Sequence, residues 1–159
     1  PWDVLLLFGG GLSLAKGAQV SGLSAMIGQQ AGGLSGVPTI VLVVLIAATL
    51  VYLSELTSNT ATATIFYPVL GSAALGLGMD PLLLLVPACL GVSMAFMMPV
   101  GTPPNAIAFS TGLVTMRQMA RAGWWLNIIG IVLCTLATYT VAIWALGILT
   151  SGTPEWASP

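Results

Sequence analysis

Charge has almost vanished from this chain. Lys, Arg, Asp and Glu together make up 4% of 159 residues, while 57% are hydrophobic and the mean hydropathy is +1.04. A soluble domain carries about a quarter charged residues, so this sequence cannot coat a water-facing surface of ordinary size. The bilayer is its solvent. At roughly 20 apolar residues per span, the length allows about four or five membrane-crossing segments joined by short loops. The expected fold class is therefore an all-α membrane protein.

The same scarcity removes whole classes of function. A net charge of -1 and the lack of any basic run argue against nucleic acid or a polyanionic partner. Histidine is absent, which removes the commonest metal ligand and proton shuttle. Cys89 and Cys134 lie far apart in apolar runs without CxxC spacing and read as small apolar residues rather than a disulfide or metal pair. No His, Cys-based or paired-carboxylate constellation converges, so an enzyme is the least favoured reading, and no cofactor is implied. The chain opens Pro1-Trp2-Asp3 and runs straight into apolar residues, with neither an initiator methionine nor a charged leader. That is not a signal peptide, and it suggests a sequence cut from something longer.

The apolar runs divide the chain into segments. Residues 2–16 read as a membrane helix interrupted by Gly9, Gly10 and Gly11, which permit a kink or a close backbone approach. Residues 18–36, with Gln19, Gln29 and Gln30, read as a short interfacial helix followed by a loop. Two apolar arms follow within 39–77, separated by a polar tip at 54–60. A further helix spans 82–112 and is broken at 99–105 by Pro99-Val100-Gly101-Thr102-Pro103-Pro104-Asn105. The last span is expected over 124–149, after a polar stretch with Arg117, Gln118 and Arg121.

The positive-inside rule places Arg117 and Arg121 on the cytoplasmic side, with Trp124 and Trp125 at that interface and Glu155 and Trp156 outside. Working backwards, the broken helix enters from outside at Pro81. If the 39–77 pair crossed twice, its tip would be a cytoplasmic loop with no Lys or Arg and one Glu, which is unusual for an inside turn. A re-entrant hairpin, with arms of about 25 Å, accounts for the tip better.

Both polar breaks then lie at a similar depth. Backbone that leaves helical geometry inside a membrane cannot face lipid, and survives where it lines a cavity or binds something. Ser54, Thr57, Ser58, Asn59, Thr60, Thr102 and Asn105 offer oxygens suited to a hard cation such as sodium. The second arms begin near Thr60 and Asn105, where helix N-termini attract anions. Taken alone, Ser-Asn-Thr is equally a polar helix cap or a set of hydroxyls bonding their own helix, and the proline-rich run has a kink as its less favoured structural reading. Two such breaks together are harder to dismiss, and a cation and a carboxylate could bind side by side between discontinuous helices.

At these residues the sequence resembles the divalent anion/sodium symporter family, which carries dicarboxylates, citrate or sulfate. The likeness rests on Thr57-Ser58-Asn59-Thr60 and on the specific run Met98-Pro99-Val100-Gly101-Thr102-Pro103-Pro104-Asn105-Ala106-Ile107. Residues 2–11 and the span containing Asn127 share it, so it covers essentially the whole chain. It implies the C-terminal inverted repeat of an elevator-type transporter, with the N-terminal repeat missing. By the same resemblance, Ser58, Asn59, Thr60, Thr102 and Pro103 would bind substrate. Sodium, the coupling ion, would be held by Ser54, Thr57, Asn59 and Gly101. A homodimer in the plasma (inner) membrane is likewise implied. Ser54 stands where the family commonly has threonine, and Thr57 and Gly101 where it often has alanine.

Glu55 is the remaining charge inside the hairpin. A negative group would repel an anionic substrate, so the sequence favours a structural carboxylate anchored by a partner in the missing half, with Lys16 as another possible partner. The leading function is sodium-coupled symport of a di- or tricarboxylate. The alternatives are sodium-independent exchange, a sulfate or oxyanion carrier on the same scaffold, and a non-transporting membrane subunit whose polar breaks only glue helices together.

Overall fold

A computed structural model of the chain describes residues 36–157, with isolated positions between 2 and 30. The segments expected at 2–16 and 18–36 lie outside the continuously described residues. Within 36–157 every regular element is helical.

The first helix, α1 (Thr39–Ser54), starts directly after Pro38, whose fixed φ and missing N–H suit a helix start. It is apolar on every face, and 16 residues make about 24 Å of helix, short of a hydrocarbon core of about 30 Å. Its fully buried face, Val43, Ala47, Leu50, Val51 and Ser54, recurs at helical spacing. The second helix, α2 (Asn59–Gly76), contains Pro68. It stops in a Schellman motif: the Met79 N–H reaches Ala74 O at 2.9 Å, the Gly78 N–H reaches Leu75 O at 3.0 Å, and Gly78 has φ +67°.

Asp80 then starts α3 (Leu82–Val92). One carboxylate oxygen accepts from the Leu82 N–H at 2.9 Å and the other from the Leu149 N–H at 3.0 Å. The start of α3 is thus tied to the far end of the chain. α3 packs against both α1 and α2, while the two arms touch one another little. Between the arms lies a cavity of about 300 Å³ lined by Leu42, Leu45, Ile46, Phe66, Leu70 and Ala73. Where α3 crosses α1, Gly91 lies against the backbone of Ala47, with room for a Cβ only 3.3 Å from its carbonyl oxygen, the close approach that small residues allow in membrane helices.

Two boundaries differ from the sequence reading. The first arm of the broken helix was expected to run to residue 98, but α3 ends at Val92 and the chain is unwound until α4 (Pro103–Ser110). The cause lies in the site described below. The last helix starts at Met116 rather than at 124. Thr115 and Gln118 form a reciprocal capping box there, so Arg117 and Arg121 belong to the first turns of the helix. This helix runs as α5 (Met116–Ala137), a π-helical turn (Thr138–Ala142) and α6 (Ile143–Leu146). Its 31 residues make it the one helix among the described residues long and apolar enough to cross a membrane. It closes at Gly147, φ +62°.

Candidate functional site

The hairpin tip is residues 55–58, between the end of α1 and the start of α2. Its hydroxyls bond mostly to their own helices. Ser54, fully buried, donates to Val51 O at 2.9 Å. Thr57 Oγ1 lies 2.9 Å from Leu53 O and 2.6 Å from Thr62 Oγ1, which in turn lies 3.0 Å from Ser58 O. Ser54, which gives its proton to a carbonyl, keeps its lone pairs free to accept, while the two protons of Thr57 and Thr62 serve three contacts between them. Ser58 and Thr60 are exposed and Asn59 half-buried. No side chain caps α2, which leaves the first-turn N–H groups of Asn59, Thr60 and Ala61 without a side-chain acceptor. The Asn59 Oδ1 is buried with no hydrogen-bond partner.

The second break covers residues 93–102. Asn105 holds its fold: the side-chain nitrogen donates to Ala95 O at 2.8 Å and Met98 O at 3.1 Å. Met98 O also accepts from the Gly101 N–H at 3.1 Å. The two helix starts were expected to present similar N–H groups, and here the structure corrects the sequence reading. Pro103 and Pro104 occupy the first two positions of α4 and have no N–H, while the Ala106 N–H bonds Thr102 O at 3.2 Å. Only the Asn105 N–H remains at that end, so α2 has the more open helix start.

Glu55 joins the two breaks. Its Oε1 accepts from the Phe96 N–H at 2.7 Å, the Met97 N–H at 2.9 Å and the Asn127 side-chain nitrogen at 2.8 Å. Its Oε2 accepts from the Met97 N–H at 3.0 Å and the Met98 N–H at 3.1 Å. Glu55 is 4% exposed and Asn127 fully buried. Three successive N–H groups aimed at one anion form a backbone nest, and they are lost to the helical ladder. That is why α3 stops at Val92. A Cβ on Gly101 would lie 3.5 Å from Glu55 Oε2 and 3.0 Å from the Ala95 methyl, so alanine here would require its neighbours to yield slightly. The structural carboxylate expected from the sequence is present, but its partners are in this chain rather than in a missing half. Lys16 is exposed.

Asn127 reaches Glu55 because α5 is thinned on the same face. Gly123 sits against the Phe96 carbonyl and the Met97 Cα with no space for a Cβ, and Gly130 sits against the Met94 sulfur. Sequence reasoning noted Asn127 only as part of a resemblance. An asparagine in the apolar part of the helix, flanked by glycines four before and three after, was the available signal. Of the predicted site residues, Gly101 lies beside the Glu55 carboxylate, while the hydrogen bonds of Ser54 and Thr57 go to residues of α1 and α2. Among the described residues, no hydrogen bond joins Ser58, Asn59 or Thr60 to Thr102 or Pro103.

The helical architecture and the long apolar helix are consistent with an all-α integral membrane protein. The chain belongs to the family described as sodium:sulfate symporter transmembrane region, which it matches over residues 1–149. It is 47% identical over 148 residues to a sodium-dependent dicarboxylate transporter, SdcS, of Staphylococcus saprophyticus, covering 93% of this chain and 28% of that protein. It is 47% identical over 159 residues to the Na(+)/dicarboxylate cotransporter 3 of Mus musculus, covering 99% of this chain and 26% of that protein. The family resemblance is thereby borne out, and the family is one of transporters rather than enzymes. The chain spans about a quarter of the length of these curated relatives.

Proposed function

We propose that this chain is part of a sodium-coupled secondary transporter for small di- or tricarboxylates, working by alternating access. The names of the 47% identical relatives support the substrate class and the coupling ion. The observation that carries the site is the buried, unpartnered Oδ1 of Asn59 at the uncapped start of α2. An orphaned buried acceptor is costly, and a bound cation satisfies it. Ser54 and Thr57, with hydroxyl protons shared toward carbonyls, and Gly101, beside Glu55, are the other sodium ligands in this reading.

Substrate carboxylate then meets Ser58, Asn59 and Thr60 at the first turn of α2, where free N–H groups and the helix dipole favour an anion. Thr102 and Pro103 form the opposite wall. Sodium beside the carboxylate offsets its charge, so each ligand raises the affinity for the other. In this reading a second, inverted repeat with its own Ser-Asn-Thr, as the family resemblance implies, completes the site. The 39–77 segment acts as a re-entrant hairpin in an elevator-type homodimer of the plasma (inner) membrane.

The test is uptake of labelled succinate into liposomes by the complete transporter carrying this chain. A sodium gradient should drive uptake, and Asn59→Ala should abolish it. Uptake indifferent to sodium or to Asn59→Ala would sink the mechanism. The description of the matched family favours sulfate as a second reading, and competition of succinate uptake by sulfate separates the two.

A further inference from the structure

We propose that Glu55, locked by Asn127, is a positioning residue that sets the geometry of the sodium site without ligating the ion. The inference rests on the transport reading above. Its first support is the chain path: by taking the N–H groups of Phe96, Met97 and Met98, the carboxylate determines where α3 unwinds. The unwound stretch, which runs to Thr102, contains Gly101, the residue expected to give sodium a backbone oxygen, and Gly101 lies against Glu55 Oε2.

The second support is the state of the carboxylate itself. Oε1 receives three donors and Oε2 two. A cation in contact with either oxygen would have to displace N–H groups already at 2.7–3.1 Å. The carboxylate is an internal anion for a backbone nest, and its charge is spent there. Its neighbours in sequence tell the same story. Ser54 and Thr57 lie on either side of Glu55 within the sodium set, so the tether fixes one half of that set to the other half at Gly101. Asn127, held at the Gly123–Gly130 face of α5, keeps the carboxylate from turning away.

Glu55→Gln in the complete transporter tests this, because an amide keeps the shape but sets its own NH₂ against the nest. Two readouts are needed: sodium activation of succinate uptake, and sodium-dependent thermal stabilisation of the purified protein. The expected result is a half-saturating sodium concentration raised about tenfold, the scale of one lost charge-assisted hydrogen bond, in both readouts. The Hill coefficient stays unchanged, and maximal velocity returns at high sodium. An unchanged half-saturation would overturn the proposal. A lowered Hill coefficient would also overturn it by making Glu55 an ion ligand. Should Glu55→Gln fail to reach the membrane, Asn127→Leu removes one donor to Oε1 at similar volume, and the same shift is expected. If the unmodified transporter shows no sodium-driven succinate uptake, the transport reading fails, and the thermal measurement still decides whether Glu55 positions a sodium site.

Discussion

The Asn127 side-chain nitrogen lies 2.8 Å from Oε1 of Glu55, across 72 positions of sequence. Through this bond the long helix grips the hairpin tip, and through the other Glu55 bonds the tip grips the unwound stretch at 96–98. Three parts of the fold meet on one carboxylate.

Glu55→Ala should therefore destabilise the protein strongly. It strands the partly buried N–H groups of Phe96, Met97 and Met98 and the buried Asn127 amide, and a fully buried group left unsatisfied costs about 1–3 kcal/mol. Thermal unfolding in detergent should show a clearly lowered midpoint. A midpoint unchanged from the unmodified protein would mean that the tether carries no stability.

The two glycines flanking Asn127 should respond differently to alanine. At Gly123 the new methyl would overlap the backbone of Phe96 and Met97, which cannot move without disturbing the Glu55 nest. At Gly130 it would come 2.7 Å from the Met94 Sδ, the end of a flexible side chain. Gly123→Ala should lose folded protein, while Gly130→Ala should cost about 1–3 kcal/mol or less. Folded yield and melting temperature of the pair check this ordering.

Asp80→Ala should loosen both ends of the bundle at once. It removes the acceptor for the Leu82 and Leu149 N–H groups at a site only 2% exposed. A loss of about 2–4 kcal/mol is expected, from two N–H groups at the lower end of the unsatisfied cost. Amide exchange should rise at residues 147–149, far from the substitution in sequence, and exchange confined to the start of α3 would refute the link.

Asn105→Asp should unfold the second break, although it changes one atom type. The Asn105 nitrogen faces the carbonyls of Ala95 and Met98, and a carboxylate would set oxygen against oxygen in both contacts. Asn105→Asp is expected to be worse than Asn105→Ala in melting temperature. Equal midpoints for the two would show that the amide does not hold the loop.

Much of the helix pattern was legible in the sequence. The tip at 54–60 and the proline-rich run were recognisable because polar and helix-breaking residues interrupt long apolar stretches, and such interruptions are conspicuous in a chain this hydrophobic. The Thr115–Gln118 box was also visible at the right spacing, yet the polar character of Arg117 and Arg121 drew the start of the last helix eight residues too late. The unwinding from 93 to 98 could not be read. Ser93-Met94-Ala95-Phe96-Met97-Met98 is a good helical sequence by propensity, and it is held open by an anion that arrives from position 55.

Composition alone determined that this chain lives in a bilayer, since 4% charged residues cannot cover a soluble surface. Local residue chemistry determined where helices must break. Only the tertiary structure decided what the breaks do to each other. A buried carboxylate must find donors, and nothing local to Glu55 says which donors lie about 3 Å away once α1, α3 and α5 have packed. The answer, the N–H groups of 96–98 and the amide of Asn127, turned two separate polar interruptions into one joined site.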